Sequence, residues 1–300
     1  MATSMMEAGA TLLRTSWLKP NFAIEILDLD LPTASKEELL AFDDICRRTA
    51  VVVVRNQTLS DEQVLEVSGR LGKVSAQQYT GPHPKYPGIS ILSNKKVDGK
   101  YIGTPDAGRN WHTDGTTYAK LGLTTMLYGI ECPPEGSDTL IADAAAAFES
   151  LPLERQQELE RLNVVHNRGH LIQKYSRAAL SPEELAKMQD VIHPVVVKSA
   201  VDGRKSFFIT NGSTKSVQGM SQEDGWALIK ELIAYTVQDQ FVYRHKWRDK
   251  DVLIWNDVGT LHSATPYDET KYERLVYRTW IRPFDVVAAT TAVEELLPAH

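Results

Sequence analysis

The chain has 300 residues, of which 42% are hydrophobic and 24% charged, and its formal net charge is -6. This composition is typical of a globular protein with a substantial core, and it lacks the positive charge that nucleic-acid binding requires. Its two cysteines, Cys46 and Cys132, are far apart in the sequence, so neither a disulfide framework nor a thiolate zinc site is expected.

The first quarter of the chain alternates predicted strands and helices. In chain order these are a strand at 22–31, a helix at 36–49, a strand at 51–55 and a helix from Ser60 to Gly72. The β-branched run at 51–55 indicates a strand buried on both faces. We therefore predict that residues 1–80 form an α/β flank.

From about Pro82 the sequence changes to short apolar runs separated by Gly, Pro, Asn and Asp, which is typical of antiparallel strands. The predicted strand segments are 88–92, 124–136, 139–148, 193–197, 205–210, 251–257 and 274–283. Helical insertions are predicted at 152–162 and at 221–237. With no repeat or linker, we expect one domain over 1–300, in which 81–285 form a mostly β sandwich or barrel and 286–300 a tail.

The sequence also bears on the cellular location and the partners of the protein. No segment reaches the roughly 18 uninterrupted apolar residues of a membrane span, and the first residues lack a basic start followed by an apolar block. We therefore expect a cytoplasmic protein with neither a membrane nor a nucleic-acid partner. The oligomeric state is not readable from the sequence, and a homo-oligomer stays open.

The segment NWHTDG contains a candidate metal site. On an extended strand, positions i and i+2 project from the same face, so His112 and Asp114 could contact one ion. A third ligand must come from another strand, and His262 follows the apolar run DVLIW. Two imidazoles and one carboxylate occupy one face of an octahedral ion and leave the other positions open, as Fe(II) oxygenases require. A bare HxD pair by itself is more often structural.

Two arginines, Arg274 and Arg278, lie four residues apart on a predicted buried strand. An unpaired buried guanidinium is costly, so each arginine needs an anion. A 2-oxoglutarate molecule would satisfy one of them, because its keto-acid end can chelate iron while its distal carboxylate accepts a bidentate fork. The alternative is that both arginines pair with acidic side chains of the chain itself, or that the strand edge is solvated.

Two longer segments resemble the taurine dioxygenase and TfdA-type family of Fe(II)- and 2-oxoglutarate-dependent dioxygenases, and the resemblance covers most of the chain. The first segment, NWHTDG to ESLP, has the family motif residues in order: Trp111, His112, Asp114, Gly136, Asp138 and Thr139. The second, WNDVGTLHSATPYDETKYERLVYR, has a histidine seven residues after a tryptophan and two arginines downstream.

The resemblance implies a double-stranded β-helix, or jelly-roll, core with helices outside, and it implies Fe(II), 2-oxoglutarate and O2 as cofactor and co-substrates. The site residues that it implies are His112, Asp114 and His262 for iron, Thr139 and Arg274 for 2-oxoglutarate, and Arg278 for the primary substrate. The segment GPHPKYP resembles a substrate loop of the family, which nominates His83 and Tyr86 as further substrate contacts. A Pro-rich surface turn is an equally open interpretation of that segment.

The expected function is the oxidation, usually the hydroxylation, of a small substrate that carries a carboxylate or sulfonate, with release of succinate and CO2. Two departures from the family pattern, Gly108 and the turn WNDV at 255–258, argue against taurine itself. Two alternatives stay open. One is a cupin-like metal enzyme that is not an oxygenase, and the other is a catalytically silent protein that binds a small molecule.

Overall fold

The computed structural model describes residues 12–76, 81–175, 181–199 and 202–283. Its helices are α1 Lys36–Arg48, α2 Asp61–Leu71, α3 Ala144–Glu149, α4 Leu153–Leu159, α5 Arg168–Tyr175, α6 Pro182–Ala186 and α7 Gln222–Thr236. Its strands are β1 Thr15–Lys19, β2 Ala23–Ile26, β3 Val51–Val54, β4 Gly72–Val74, β5 Ser90–Ser93, β6 Lys96–Val97, β7 Lys100–Tyr101, β8 Thr124–Glu131, β9 Thr139–Asp143, β10 Asn163–Asn167, β11 Asp190–Pro194, β12 Val196–Lys198, β13 Lys205–Phe207, β14 Thr214–Val217, β15 Val242–His245, β16 Val252–Asn256, β17 Thr260–Ala264 and β18 Leu275–Pro283. The predicted tail at 286–300 lies outside the described residues.

Both helices predicted in the first quarter are confirmed as α1 and α2. Each begins at a serine that forms a capping box, because the side chains of Ser35 and Ser60 accept a hydrogen bond from the third helical residue and that residue's side chain bonds back. Strand β3 is buried along its whole length, as the β-branched run predicts. The preceding predicted strand is shorter than expected, and β1 was not predicted.

The predicted strand at 139–148 is wrong in its second half. The chain leaves β9 at Asp143 and forms helix α3. Oδ1 of Asp143 accepts hydrogen bonds from the backbone N–H groups of Ala145 and Ala146, at 3.1 and 2.8 Å. Alanine has the highest helix propensity of any residue type. A run of alanines that follows a capping residue therefore favours a helix over an extended strand.

A large, mostly antiparallel sheet forms the frame of the molecule. Its strand order is β1-β2-β3-β16-β8-β18-β4, with β5 also paired to β18, and β2 and β3 run parallel. A second sheet has the order β15-β9-β17. Leu127 and Val276 of the large sheet pack in one apolar cluster with Ile141 and Tyr243 of the second sheet. The two sheets therefore face each other across a shared core, and the predicted mostly β fold with flanking helices is confirmed.

Helices cover the outer sides of these sheets. On the large sheet, Phe42 of α1 and Val64 of α2 share an apolar cluster with Met126 of β8 and Ile254 of β16. The predicted insertions are confirmed as α4 and α7, and α7 packs in a separate cluster with α3, β13 and β14. The strands that carry the candidate site also pack in these clusters, β17 with α7 and β18 with α1 and α2.

Within the described ranges, no helix combines the length and apolar character needed to cross a membrane.

Candidate metal centre

Two of the predicted ligands come from segments that pair directly. His262 lies in β17, and His112 forms an isolated antiparallel bridge with it. The backbone N–H of His112 donates to the carbonyl of His262 at 3.0 Å, and the reciprocal hydrogen bond is 2.7 Å long. Residues directly opposite each other on antiparallel strands have neighbouring side chains, and the two imidazole centroids lie 4.1 Å apart.

The third ligand, Asp114, follows the bridged residue by two positions, where the chain turns. Gly115 has a φ of +85°, and a Cβ at this position would lie 2.9 Å from Leu123, so glycine suits both the backbone conformation and the space. Oδ1 of Asp114 lies 3.8 Å from Nε2 of His112, and Oδ2 lies 4.0 Å from Nε2 of His262.

These three residues have candidate ligand atoms that all lie within 4.8 Å of one another, and no other such group of histidine, cysteine and acidic side chains occurs in the described part of the chain. The structure therefore brings His112, Asp114 and His262 together, and the two-histidine, one-carboxylate donor set fits a single Fe(II) ion. Nδ1 of His262 is buried without a hydrogen-bond partner. That ring must carry its proton on Nδ1 when Nε2 binds a metal.

The carboxylate of Asp114 is held by side chains that the sequence analysis did not identify. Its Oδ2 accepts a hydrogen bond of 2.6 Å from Nε1 of Trp280 and a longer one of 3.4 Å from Thr125. The same hydroxyl of Thr125 lies 2.8 Å from Oδ2 of Asp257, whose Oδ1 accepts from Nε1 of Trp255 at 3.0 Å. The only sequence signals were the unusual WND turn and the i+2 position of Trp280 after Arg278.

The pKa values of the two buried carboxyl groups in this network are shifted in opposite directions. Burial alone would raise the pKa of Asp114, but the positive charge of Arg278, then the two histidines and the Trp280 hydrogen bond, outweigh it and lower the pKa. Burial and then the charge of Asp114 raise the pKa of Asp257 well above its usual value. A proton taken up by the pair therefore favours Asp257 over Asp114, and the lowered pKa of Asp114 favours the ionised form that a metal ligand needs.

Burial, followed by the nearby His112, lowers the pKa of His262 well below its usual value. A neutral imidazole has a free lone pair on one nitrogen, which is the state that binds a metal. The pKa shifts of Asp114 and His262 thus both favour the protonation state in which each side chain binds a divalent cation.

Arg278 lies on β18 beside the three ligands. It is 9% exposed, and its Nε and one Nη are buried without a hydrogen-bond partner. Its other Nη lies 4.0 Å from Oδ2 of Asp114, and its guanidinium lies 4.3 Å from the centroid of the Trp280 ring. Burial lowers its pKa. An anionic group bound here would complete the hydrogen bonds of a desolvated cation next to the metal ligands.

Arg274 occupies a second buried position just before β18. It is 4% exposed, its Nε is buried and lacks a hydrogen-bond partner, and burial lowers its pKa. Tyr267 and Cys132 are the groups that partly offset this effect, and the hydroxyl of Tyr267 is also buried without a partner. Donor groups left without partners in the same environment mark a second place that favours an anion.

Thr139 begins β9 and is connected to the surroundings of Arg274 through Trp247. Nε1 of Trp247 donates to Oγ1 of Thr139 at 3.0 Å. A Cβ on Gly129 would lie 2.9 Å from the Trp247 ring and 2.7 Å from Sγ of Cys132, so these two side chains are neighbours over that glycine. The predicted pair Thr139 and Arg274 therefore borders one region of the core.

His83 and Tyr86, the predicted substrate residues, contact helix α2 instead. Nε2 of His83 lies 3.4 Å from a carboxylate oxygen of Asp61, and the hydroxyl of Tyr86 donates a hydrogen bond to Glu62. The structure does not bring these two residues to the three ligands.

The position of His83 relative to β18 explains this separation. The His83 ring packs edge-on against Tyr277, with centroids 5.5 Å apart. Tyr277 and Arg278 are consecutive strand residues, which project to opposite faces of a sheet. His83 therefore lies on the α2 side of the strand and Arg278 on the ligand side. Substrate binding by His83 and Tyr86 stays a prediction.

Two histidines and one carboxylate on paired segments of a mostly β fold define the class of mononuclear non-haem iron enzymes. Comparison with known proteins gives the family. The chain belongs to the taurine catabolism dioxygenase TauD, TfdA family, whose model matches residues 14–280. The predicted resemblance is thereby confirmed, and the chain is a 2-oxoglutarate-dependent non-haem iron dioxygenase.

Relatives of known name are similar over most of their length. The alpha-ketoglutarate-dependent 2,4-dichlorophenoxyacetate dioxygenase of Cupriavidus pinatubonensis is 30% identical over 264 residues, which are 84% of this chain and 91% of the relative. Pentalenolactone F synthase of Streptomyces arenae is 29% identical over 78% of this chain and 83% of its own.

Solved structures share the fold. The crystal structure of AAD-2 in complex with Mn(II) and N-oxalylglycine superposes with a TM-score of 0.76, at 23% identity, over 90% of this chain and 97% of that chain. A putative alpha-ketoglutarate-dependent taurine dioxygenase from Burkholderia xenovorans has a TM-score of 0.74, at 22% identity, over 90% and 93% of the two chains.

Proposed function

We propose that this dioxygenase hydroxylates a small organic acid, with Arg278 binding the acid group and with Arg274 and Thr139 binding the distal carboxylate of 2-oxoglutarate. The observation that carries the proposal is the presence of two buried, incompletely bonded guanidinium groups four residues apart, of which that of Arg278 lies beside the metal ligands. A reaction with two anionic organic molecules, the co-substrate and the substrate, accounts for both cations.

The assignment of the two arginines follows from their positions. Arg278 lies 4.0 Å from the carboxylate of Asp114, so an acid bound to it places its neighbouring carbons close to the metal ligands. Arg274 lies four residues before Arg278 and borders the region of Thr139, Trp247 and Cys132, a separate position that suits the far end of an elongated diacid. The names of relatives support an acidic substrate, because they include a phenoxyacetate dioxygenase and a sulfonate dioxygenase from Saccharomyces cerevisiae.

His112, Asp114 and His262 would hold the iron. Bound Fe(II), with 2-oxoglutarate and O2, supplies the oxidative decarboxylation that yields succinate and CO2 and inserts oxygen into a C–H bond. The protein's own contribution is to keep Asp114 ionised and His262 neutral, and to hold both acids in fixed orientations in a largely buried site.

The type of β fold, the number of domains and the cellular location are part of the same proposal. We propose that the two facing sheets form a double-stranded β-helix, that residues 1–300 are a single catalytic domain, and that the protein works in the cytoplasm. The face-to-face packing of the large sheet and the β15-β9-β17 sheet, and the fold shared with TauD-type structures, support the first statement.

The proposed reaction can be tested directly with purified protein. Protein reconstituted with Fe(II), ascorbate and 2-oxoglutarate would be offered aryloxyacetates, alkylsulfonates and alkyl sulfates, while oxygen uptake and succinate are measured together. At least one acid should raise succinate formation above the substrate-free rate. Asp114→Ala should abolish it. Metal binding without consumption of 2-oxoglutarate under any condition would contradict the proposal and favour a metal enzyme of another type.

The role of Arg274 has a matched control. Arg274→Met should raise the KM for 2-oxoglutarate about 10- to 100-fold, because a charge-assisted hydrogen bond contributes about 1.5–3 kcal/mol. Arg204→Met removes a guanidinium that pairs instead with Glu149 at 2.8 Å, and it should leave this KM unchanged. An unchanged KM in Arg274→Met would contradict the assignment.

A further inference from the structure

We propose that Trp280 is a positioning residue that determines which oxygen of Asp114 binds the metal. This inference rests on the proposed function for its context, but it concerns only the metal site. Its starting point is the 2.6 Å hydrogen bond from Nε1 of Trp280 to Oδ2 of Asp114.

The two carboxylate oxygens of Asp114 have different surroundings. Each oxygen lies near one ligand imidazole, Oδ1 at 3.8 Å from Nε2 of His112 and Oδ2 at 4.0 Å from Nε2 of His262. They differ in their hydrogen bonds, because Oδ2 accepts from Trp280 and, more weakly, from Thr125, and among the described residues no hydrogen bond to Oδ1 occurs. An oxygen that already accepts a strong hydrogen bond is a poorer donor to a metal than one that does not. Oδ1 is therefore the ligand, and Asp114 binds through one oxygen only. Partners of this kind orient ligating carboxylates in metal proteins.

The Trp280 ring is itself fixed from two sides. The guanidinium of Arg278 lies 4.3 Å from its centroid, and the Tyr118 ring meets it edge-on at 6.4 Å and 85°. The guanidinium of Arg282 lies 5.0 Å from the Tyr118 centroid, so the two cations and two rings form one continuous row of contacts. Trp280 cannot rotate away from Asp114 without breaking this row. The indole donor is thus preorganised before any metal binds.

The position of Trp280 on β18 directs its side chain to the same face as that of Arg278. Trp280 lies two residues after Arg278 on β18, so both side chains project towards the ligands. One ring therefore contacts the metal-binding carboxylate with its edge and the proposed substrate-binding cation with its face.

The experiment measures metal affinity without turnover. Mn2+ would be titrated into wild-type protein, Trp280→Phe and Trp226→Phe, with free Mn2+ followed by electron paramagnetic resonance. Trp280→Phe keeps an aromatic face for Arg278 but lacks the donor. We expect its Mn2+ affinity to fall about 10- to 100-fold, the usual cost of losing an outer-sphere partner. Trp226→Phe changes a tryptophan of α7 that packs at 6.0 Å from His170, and its affinity should stay within about twofold of wild type.

An affinity of Trp280→Phe equal to that of wild type would overturn the inference. A crystal structure of the wild-type protein with Mn2+ tests it without any variant. The expected ligand is Oδ1, with Oδ2 still bonded to Trp280, whereas a bidentate Asp114 or coordination through Oδ2 would refute the assignment. These outcomes are separable from those of the proposed function, because wild-type protein that binds Mn2+ but never consumes 2-oxoglutarate contradicts only the function.

Discussion

Two pairs of neighbouring histidines in this molecule have different surroundings. His262, His166 and His193 are buried, and His112 is half-buried. His112 and His262 lie 4.1 Å apart by ring centroids, and His166 and His193 lie 5.8 Å apart. Burial is the largest cause of a lowered pKa in His262, in His166 and in His193. Both pairs also leave a buried ring nitrogen without a hydrogen-bond partner, on His262 and on His166. Neither burial nor a lowered pKa therefore identifies a metal site.

The difference between the pairs is the group that faces them. The first pair faces the carboxylate of Asp114, held in place by Trp280. The described partners of the second pair are hydroxyl and carbonyl groups and the Phe208 ring: Nδ1 of His166 lies 3.1 Å from Oγ of Ser213, and Nε2 of His193 lies 2.9 Å from the carbonyl of Tyr118. A convergent carboxylate makes one pair a metal site, and the other pair supports the loop that follows Asp114.

The largest effect is expected on Mn2+ affinity, when one histidine of each pair is substituted in turn. His262→Ala should reduce Mn2+ affinity by more than about 100-fold, because losing a ligand costs more than the roughly 10- to 100-fold loss of an outer-sphere partner. His193→Gln keeps a donor for the carbonyl of Tyr118, and its affinity should stay within about twofold of wild type. Isothermal titration calorimetry with Mn2+ distinguishes them. Equal losses in both variants would mean that the two pairs do not differ as described.

A smaller effect is expected in the pH dependence of stability. Burial, followed by His193, lowers the pKa of His166 to about 3. Because this pKa lies below the unfolded value of about 6.5, the unfolded chain binds more protons between the two values, and stability is complete above about pH 6.5 and lost as the pH falls. His166→Gln should lose about 1 kcal/mol less than wild type between about pH 6 and about pH 5.

Urea unfolding at several pH values measures this difference. Added Mn2+ sharpens the comparison, since it should raise the stability of wild type and of His166→Gln by the same increment, as the metal binds the other pair. Identical slopes of stability against pH in the two proteins would refute the account of His166 as a buried neutral histidine.

The ligand residues and the mostly β fold could be predicted from the sequence. His112 and Asp114 are two residues apart, so strand geometry alone places them on one face, whereas His262 required the order of family motifs. The mostly β fold followed from short apolar runs between turn residues. Helix α3 was missed because five apolar residues after TLIAD also suit a strand, and the capping role of Asp143 outweighs that pattern only in three dimensions.

The contacts around Asp114 were beyond sequence reasoning. The Trp280 hydrogen bond joins residues 166 positions apart, and that from Thr125 to Asp257 spans 132 positions. Such pairs are set by the strand order, in which β8 lies between β16 and β18, and no local pattern encodes that order. A tryptophan two residues after Arg278 is visible in the sequence, but its partner is not.

The smallest effect should come from the two residues that the structure leaves outside the ligand group. His83 and Tyr86 contact Asp61 and Glu62 of α2, on the face of β18 opposite Arg278. His83→Gln and Tyr86→Phe should therefore each change the KM for whichever acid is oxidised by less than about twofold. Each should lower stability by about 1 kcal/mol, the usual contribution of a single hydrogen bond.

Arg278→Lys serves as the positive control in the same assay, because it removes the guanidinium fork beside the metal ligands and should raise that KM at least about tenfold. A comparable rise in His83→Gln or Tyr86→Phe would support the substrate-loop prediction made from the sequence. It would also require the segment around Pro84 to move towards the ligand side when the acid binds, since the contacts with α2 and Tyr277 keep both side chains away from that face.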